Sequence, residues 1–239
     1  NLVNVHDRNI IEIGPGQGAL TEEILKRNPK SLCLVEKDTN LAKKLKEKYS
    51  TNKLVTIYEK DIIKFNLEKI AKKNSIILGN LPYNISSQIL VKILKFHKWP
   101  PKFNDVIFMF QKELGDKITG KFKSINYSRL SILTNLRLKI VNKFIVSPNC
   151  FLPRPKVKSI IIHFRPKNQK NIHIKRIENL EKVTNILFSN KRKMINKNIK
   201  KLLSKDKIKL LKNLNLKSRP SEIRPEIFYK IAELYETRG

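Results

Sequence analysis

The chain has 239 residues, and 51 Lys and Arg against 20 Asp and Glu give it a formal net charge of +31 at pH 7. Because 40% of the residues are hydrophobic, the chain has enough apolar material for a core, which excludes a wholly disordered protein, a collagen and a coiled coil. So large a positive charge repels itself, and a polyanion such as nucleic acid is the simplest partner to balance it. Codon bias toward Lys is the alternative source of part of the excess.

The cysteines, histidines and apolar runs exclude several other classes. Cys33 and Cys150 make neither a disulfide framework nor a zinc site, and the histidines show no metal-ligand spacing, so we predict no metal. No apolar run approaches the ~20 residues of a membrane span, and residues 1–10 lack the apolar region of a signal peptide. We therefore expect a cytosolic or organelle-matrix protein. Since the chain starts at Asn1 without Met, we also expect a fragment that lacks its natural N-terminus.

Short apolar runs alternate with helical patterns through the first half of the chain. Strands are predicted at 10–13, 31–35, 54–58, 76–78 and 106–111, and helices at 19–26, 41–49 and 85–96. Strands that alternate with helices form a parallel, doubly wound α/β sheet. Residues 137–146 and 159–164 suit a closing hairpin, with the Pro-rich segment 147–155 as its loop.

The pattern changes near residue 170. Residues 180–203, 208–214 and 226–236 have helical periodicity, and no strand signal interrupts them. We therefore predict an α/β domain over residues 1–168 and a small all-α domain over residues 169–239.

A glycine turn follows the first predicted strand and opens the first helix. It reads Glu12-Ile-Gly-Pro-Gly-Gln-Gly18, and such glycines let the backbone approach a ligand closely in Rossmann-like sheets. Glu36, at the end of the second strand, suits both ribose hydroxyls, and Asp61, after the third strand, suits an adenine amino group. Together they have the layout of an S-adenosylmethionine site. The alternative is a plain connecting turn with solvated acids at the strand ends.

The segment Asn80-Leu-Pro-Tyr83 follows the fourth predicted strand. The amino nitrogen of adenine is a poor nucleophile until acceptors for its N–H groups favour a more tetrahedral geometry. The side-chain oxygen of Asn80 and the carbonyl of Leu81 would be those acceptors, and Pro82 stiffens the turn. Tyr83 offers a face on which a flipped-out base stacks. The pattern predicts methyl transfer to an adenine by positioning and electrostatics, without a dedicated general base.

Several segments together resemble the ribosomal small-subunit RNA adenine N6,N6-dimethyltransferase family over nearly the whole chain. They are residues 12–21 and 80–87, Gln111-Lys-Glu113, Tyr127-Ser-Arg-Leu-Ser131, Phe151-Leu-Pro-Arg-Pro-Lys-Val-Lys-Ser159 and Phe188-Ser-Asn-Lys-Arg-Lys193. The resemblance implies a Rossmann-like S-adenosylmethionine-dependent methyltransferase sheet with a small all-α C-terminal domain that binds RNA. It also implies dimethylation of N6 of two adjacent adenosines in the 3′-terminal hairpin of small-subunit (16S) rRNA, during ribosome biogenesis.

The resemblance also assigns the site. The predicted catalytic residues are Asn80, Leu81, Pro82 and Tyr83. The predicted cofactor-binding residues, for S-adenosylmethionine as methyl donor, are Glu12, Gly14, Gly16, Glu36, Lys37, Asp61, Ile62 and Asn80. The predicted substrate-binding residues are Tyr83, Phe151, Lys191, Arg192 and Lys193. The expected partners are the small ribosomal subunit and its rRNA, the expected state is a monomer, and the bacterial cytoplasm is favoured over the mitochondrial matrix.

Three departures from the family pattern bear on these expectations. The family's N-terminal Gln-x-Phe-Leu segment is absent, so we expect a fragment of this extent to bind cofactor weakly. Lys60 stands where the family usually has Gly, which alters the surroundings of the adenine pocket, and Ser128 also replaces a Gly.

The segment 191–217 is rich in Lys and Arg and contains one acid, Asp206. Its apolar residues, Met194, Ile195, Ile199, Leu202 and Leu203, have helical spacing for a core face. The opposite face would then be a cationic surface for rRNA phosphates, which contributes affinity and orientation rather than sequence readout. A solvated helix surface is the alternative.

Two other functions remain open from the sequence. One is a large-subunit rRNA adenine methyltransferase of the macrolide-resistance type, which carries a similar Asn-x-Pro-Tyr turn. The other is a non-catalytic RNA-binding assembly or transcription factor on the same fold. The Phe151–Ser159 segment argues against the first, and intact Asn80 and Tyr83 argue against the second.

Overall fold

A computed structural model describes residues 2–151, 154–168 and 172–237. The chain divides into two compact units, one of residues 1–115 and 139–166 and the other of residues 116–138 and 167–239. The chain passes between the units three times, and the predicted boundary after residue 168 lies close to the third passage, between residues 166 and 167. However, the second unit also takes residues 116–138, because the helix there packs against the C-terminal helices.

The described part of the first unit contains a seven-stranded sheet in the order β3-β2-β1-β4-β5-β7-β6. Its strands are β1 (Asn9–Ile13), β2 (Ser31–Glu36), β3 (Val55–Glu59), β4 (Ser75–Asn80), β5 (Phe103–Gln111), β6 (Leu138–Val146) and β7 (Ser159–Pro166). The first five strands pair in parallel, and β7 runs antiparallel to β5. This confirms the predicted α/β class, with β6 and β7 as neighbours at one edge.

The sheet is doubly wound because the chain steps outward from β1 to β3 and then returns to place β4 on the other side of β1. The carboxyl ends of β1 and β4 therefore lie side by side, with Ile13 in register with Gly79. In open α/β sheets this point of reversed strand order is where ligands bind.

Helices cover the sheet because strands buried on both faces need a partner on each. The helices are α1 (Ala19–Leu25), α2 (Thr39–Lys48), α3 (Leu67–Ile70), α4 (Ser86–Leu94) and α5 (Lys112–Ile118), which leads into the second unit. On one face, Ile24 of α1 and Leu45 of α2 join the core formed by Ile10, Leu32 and Ile76. The side chain of Asp38 starts α2 by accepting a hydrogen bond from Leu41 N at 2.9 Å.

The second unit is helical in its described residues. It contains α6 (Arg129–Arg137), α7 (Ile177–Phe188), α8 (Asn196–Ile199), α9 (Lys205–Lys209) and α10 (Pro225–Glu236). Tyr229 Oη donates to Ile132 O at 3.1 Å, and Tyr127 Oη donates to Ile223 O at 3.0 Å. Burial raises the pKa of both hydroxyls, so they stay protonated and keep these bonds.

Two predicted helices of this unit differ in the structure. The single helix predicted at 180–203 is two, α7 and α8, separated by residues 189–195, where Ser189 and Asn190 favour the end of a helix. The helix predicted at 208–214 begins and ends earlier, as α9. In the described parts of the chain, no helix has the length and apolar character needed to cross a membrane.

Candidate functional site

The glycine turn lies at the carboxyl end of β1. Gly14, Gly16 and Gly18 have φ of 67°, 59° and 87°, a left-handed region that L side chains rarely adopt. Gly14 N donates to Val35 O at 3.0 Å, and Gly18 N donates to Pro15 O at 2.9 Å. A Cβ on Gly16 would meet no atom within 4 Å, so the main chain there is open to a ligand.

Glu36 ends β2 beside this turn, with its side chain buried. Its Oε2 accepts from Gly16 N at 3.1 Å, and its Oε1 accepts from Lys37 N at 2.8 Å and Asp38 N at 2.9 Å. A carboxylate has about four acceptor positions, so Oε2 keeps one for a further donor. The open glycine backbone and this acceptor fit the hydroxyl of a ribose.

Asp61 and Lys37 form an ion pair at the neighbouring strand ends. Lys37 Nζ lies 3.0 Å from Asp61 Oδ2, and Ile63 N donates to Asp61 Oδ1 at 2.9 Å. The hydrogen bond from Lys37, followed by the one from Ile63 N, lowers the pKa of Asp61, so the group is a carboxylate at neutral pH. Ile62, the residue between Asp61 and Ile63, is buried.

Glu12 is the last acid of the predicted cofactor set, and it is 1% exposed. Thr21 Oγ1 of α1 donates to its Oε2 at 2.7 Å. Burial raises the pKa of the Glu12 carboxyl to about 7, against the lowering effect of Thr21, and the charge of Glu36 raises it further. A cofactor contact for Glu12 stays a prediction.

The Asn80–Tyr83 turn starts where β4 ends, beside the glycine turn. A Cβ on Gly14 would lie 3.9 Å from Pro82 Cδ and 4.0 Å from Asn80 O, so the two turns are in contact. Asn80 is exposed, Leu81 is buried, and Tyr83 is half-buried. The structure therefore brings the glycine turn and the Asn80–Tyr83 turn together at the point where the strand order reverses.

A cavity of about 560 Å³ lies against the same sheet edge. Asn80 and Phe151 both line it, together with apolar residues of the sheet and of α1 such as Met109 and Ile24. Phe151 therefore lies near Asn80, and its predicted role in binding the substrate stays a prediction. Leu152 and Pro153, which follow Phe151 in the family segment, lie outside the described residues.

Lys191, Arg192 and Lys193 belong to the second unit and are exposed. Ile195, Ile199, Leu202 and Leu203 form the expected core face. Met194 does not belong to it, since it is 48% exposed and precedes the first helical residue, Asn196. No group of three or more potential metal ligands occurs among the residues that the structure places.

Three residues near the site were not assigned from the sequence. Thr21 binds Glu12, and Lys92 Nζ of α4 donates to Ile63 O at 2.9 Å. Burial lowers the pKa of Lys92, and the nearby Asp61 opposes this. Ser159 lies 2.7 Å from the hydroxyl of Tyr83. Ser159 ends a segment that carries the family resemblance, which is the one signal that pointed to it.

A mainly parallel sheet with a glycine turn and acids near the point where its strand order reverses is the architecture of the Rossmann-like S-adenosylmethionine-dependent methyltransferases. Residues 2–237 match the family model described as ribosomal RNA adenine dimethylase. The chain belongs to this family.

Named relatives agree with that membership. "Ribosomal RNA small subunit methyltransferase A" of Pelagibacter ubique is 39% identical over 240 residues, which cover 99% of this chain and 89% of the relative. The protein of the same name from Malacoplasma penetrans is 37% identical over 229 residues, which cover 94% of this chain and 80% of the relative.

Two solved structures have the same fold. A dimethyladenosine transferase from Plasmodium falciparum aligns with a TM-score of 0.74 and 25% identity, over 95% of this chain and 90% of that one. The 23S rRNA methyltransferase ErmE aligns with a TM-score of 0.67 and 24% identity, over 97% of this chain and 92% of that one. At this identity the second comparison shows the fold alone.

Proposed function

We propose that the protein uses S-adenosylmethionine to dimethylate N6 of two adjacent adenosines in the 3′-terminal hairpin of small-subunit rRNA, during ribosome biogenesis. The observation that carries the proposal is the contact between the glycine turn and the Asn80–Tyr83 turn, in a chain of the rRNA adenine dimethylase family. The names of the relatives at 39% and 37% identity support the small subunit as the substrate.

S-adenosylmethionine supplies an electrophilic methyl group when it is bound. Gly14 and Gly16 would lie against it through the main chain, and the free acceptor position of Glu36 would take a ribose hydroxyl. Asp61, held as a carboxylate by Lys37, would accept a hydrogen bond from the amino group of the cofactor's adenine. Ile62 and Glu12, which are both buried, would support these contacts. These residues fit a nucleoside because the open backbone and the carboxylates are adjacent.

The target adenine would meet the other turn. The side-chain oxygen of Asn80 and the carbonyl of Leu81 would accept its two amino hydrogens, which frees the nitrogen lone pair for attack on the methyl carbon. Pro82 limits the motion of this turn, and Tyr83 and Phe151 would hold the base by stacking. As the nitrogen–carbon bond forms, the carbon–sulfur bond of the donor would break and S-adenosylhomocysteine would leave, and the methylated nitrogen would lose its proton to water. The chemistry is positioning and electrostatics, so it requires no metal.

Docking on the ribosomal subunit would rest on the strong positive charge of the chain. Both units carry exposed Lys and Arg, and Lys191, Arg192 and Lys193 are the predicted phosphate contacts of the second unit. The named relatives are bacterial, which supports the bacterial cytoplasm as the location. The working state that we propose is a monomer on the subunit.

The two other functions are not favoured. The relatives named for the small subunit are up to 39% identical, whereas the 23S rRNA enzyme of known structure is 24% identical. The non-catalytic alternative is opposed by the exposed Asn80 beside the glycine turn.

The test is to incubate the purified protein with small subunits that lack the methylation, using labelled S-adenosylmethionine. Dimethylation removes both Watson–Crick amino hydrogens, so primer extension should stop at two adjacent adenosines near the 3′ end. Absence of label, or a stop only in large-subunit RNA, would contradict the proposal.

The variant Asn80→Ala separates chemistry from docking. We expect it to reduce transfer by about 100-fold or more, as loss of one preorganised hydrogen-bonding group does, while subunit binding stays nearly unchanged. Asn185→Ala, an exposed asparagine on α7, is the matched control and should transfer normally. A parallel loss of binding in Asn80→Ala would mean that the turn serves docking instead.

A further inference from the structure

A hydroxyl pair connects the Asn80–Tyr83 turn to the start of β7. Tyr83 Oη and Ser159 Oγ lie 2.7 Å apart, although the residues are 76 positions apart in the chain. Ser159 is fully buried, and Tyr83 is half-buried. Because each hydroxyl can donate or accept, the pair satisfies both groups in a place where water reaches poorly.

Ser159 is held firmly by its position in the sheet. It is the first residue of β7 and lies in register with Gln111 at the end of β5. Immediately before it, Lys158 O accepts from Lys112 N at 2.9 Å. The sheet therefore fixes the place of the Ser159 hydroxyl independently of the catalytic turn.

The other end of Tyr83 is also held. Its backbone carbonyl accepts from the hydroxyl of Ser86, a buried residue at the start of α4, at 3.0 Å. Ile85 N donates to Pro82 O at 3.2 Å and closes the turn. With the main chain held by α4 and the ring tip held by Ser159, the ring has little freedom to rotate about its side-chain bonds.

We propose that Ser159 is a positioning residue for methyl transfer: its hydroxyl holds the Tyr83 ring in the orientation that stacks against the target adenine. The inference rests on the proposed function, which gives Tyr83 its stacking role. A ring already held in place loses less freedom when the base arrives, and supporting side chains of this kind set the precision of a site. Ser159 would thus act on the rate of transfer and on base stacking rather than on docking or cofactor affinity.

The test compares Ser159→Ala, Tyr83→Phe and the double variant with wild type. Each single change removes one hydroxyl of the pair, and Tyr83→Phe keeps the ring. We expect each to lower kcat about tenfold, with KM for the small subunit within about twofold of wild type. Because both act through one bond, the double variant should be no slower than the slower single variant. Independent effects that multiply would overturn the inference.

A spectroscopic readout reports the ring directly. The target adenosine of an RNA hairpin is replaced with 2-aminopurine, whose fluorescence should be quenched when the base stacks on Tyr83. With either single variant at saturating concentration, the fluorescence should be higher than with wild type. Ser75→Ala is the matched control, because Ser75 is also a fully buried first residue of a strand and bonds Lys72 O at 2.7 Å. It should lower thermal stability and leave kcat and quenching unchanged.

The outcomes separate this inference from the proposed function. If wild type transfers label but both single variants keep full kcat and full quenching, Ser159 is only structural and the inference fails alone. If wild type transfers none, the proposed function fails and the inference fails with it. Should Ser159→Ala not fold, Tyr83→Phe still decides, because it removes the same bond from the less buried side.

Discussion

Thr21 Oγ1 donates a 2.7 Å hydrogen bond to Glu12 Oε2, and this pair links α1 to the strand that carries the glycine turn. Both side chains are essentially buried, at 0% and 1% exposure. Burial and the nearby Glu36 raise the pKa of Glu12 to about 7, although the Thr21 bond favours the ionised form. The protonation of this acid is therefore coupled to the folding of the site.

The first prediction is that Glu12 makes stability fall with pH. Between about pH 4.5 and pH 7 the folded protein holds a proton that the unfolded chain releases, so the free energy of unfolding declines as pH rises through that window. The decline is on the order of 3 kcal/mol, at about 1.4 kcal/mol for each pH unit. Urea denaturation at pH 5 and pH 8 measures it.

Glu12→Gln is the variant that isolates this effect, because it keeps the shape of the side chain and removes its titration. Its free energy of unfolding should fall less than that of wild type between the two pH values. Thr21→Val should shift the wild-type decline to higher pH, since it removes the bond that favours the carboxylate. Equal pH dependence in wild type and Glu12→Gln would show that Glu12 is ionised in the folded state.

The second prediction concerns the Glu36 carboxylate. In Glu36→Gln an NH2 group replaces one oxygen and faces backbone N–H groups that need an acceptor, either Gly16 N or the pair at Lys37 and Asp38. We expect at least about a tenfold loss of affinity for S-adenosylhomocysteine by calorimetry, or about 1.4 kcal/mol. Glu47→Gln, an exposed acid on α2, is the control. Unchanged affinity in Glu36→Gln would remove Glu36 from the site.

The third prediction separates two glycines of one turn. Gly16→Ala should cost about 1 kcal/mol of unfolding free energy, from its left-handed backbone alone, because the added Cβ meets no atom. Gly18→Ala should cost about 2 to 3 kcal/mol, because its Cβ would lie 3.2 Å from Leu45 Cδ2 and 3.3 Å from Tyr49 Oη. Cofactor affinity, measured by calorimetry, should fall more in Gly16→Ala than in Gly18→Ala. Full affinity in Gly16→Ala would mean that no ligand approaches this backbone.

Much of the first unit could be predicted because its strands are short, continuous apolar runs. β1 and β4 are buried along almost their whole length, and such runs separated by helical patterns leave few alternatives. α6 gave no such signal. Ser131 and Thr134 are buried in this helix beside Ile132 and Leu133. Because polar residues occupy core positions, the apolar residues alone do not show a helical period. α3 is too short, at four residues, to show a period.

The candidate site also has parts that could be predicted from the sequence and parts that could not. Glu36 could be placed beside the glycine turn because both follow strands that the topology sets side by side. The contact between Tyr83 and Ser159 could not be predicted, since it depends on β7 pairing with β5 in one particular register. The raised pKa of Glu12 depends on packing of α1, which the spacing of residues does not reveal.

The fourth prediction concerns Lys191, Arg192 and Lys193, which are exposed and precede α8. If they neutralise rRNA phosphates, changing all three to Gln should lower the slope of log affinity against log salt by about 2 to 3, since each contact contributes about 0.9. Filter binding of small-subunit rRNA at several salt concentrations measures the slope. The released counterions are the physical cause, so the loss of affinity should be largest at low salt.

The control for this variant removes the same charge elsewhere. Lys43, Lys44 and Lys53 are exposed residues of the first unit, and changing them to Gln tests net charge alone. A smaller change in slope for the control than for the 191–193 variant would assign the phosphate contacts to that segment. Equal changes in both variants, or no change in either, would mean that residues 191–193 are an ordinary solvated surface. The side chains that contact rRNA phosphates would then be other exposed Lys and Arg residues of the two units.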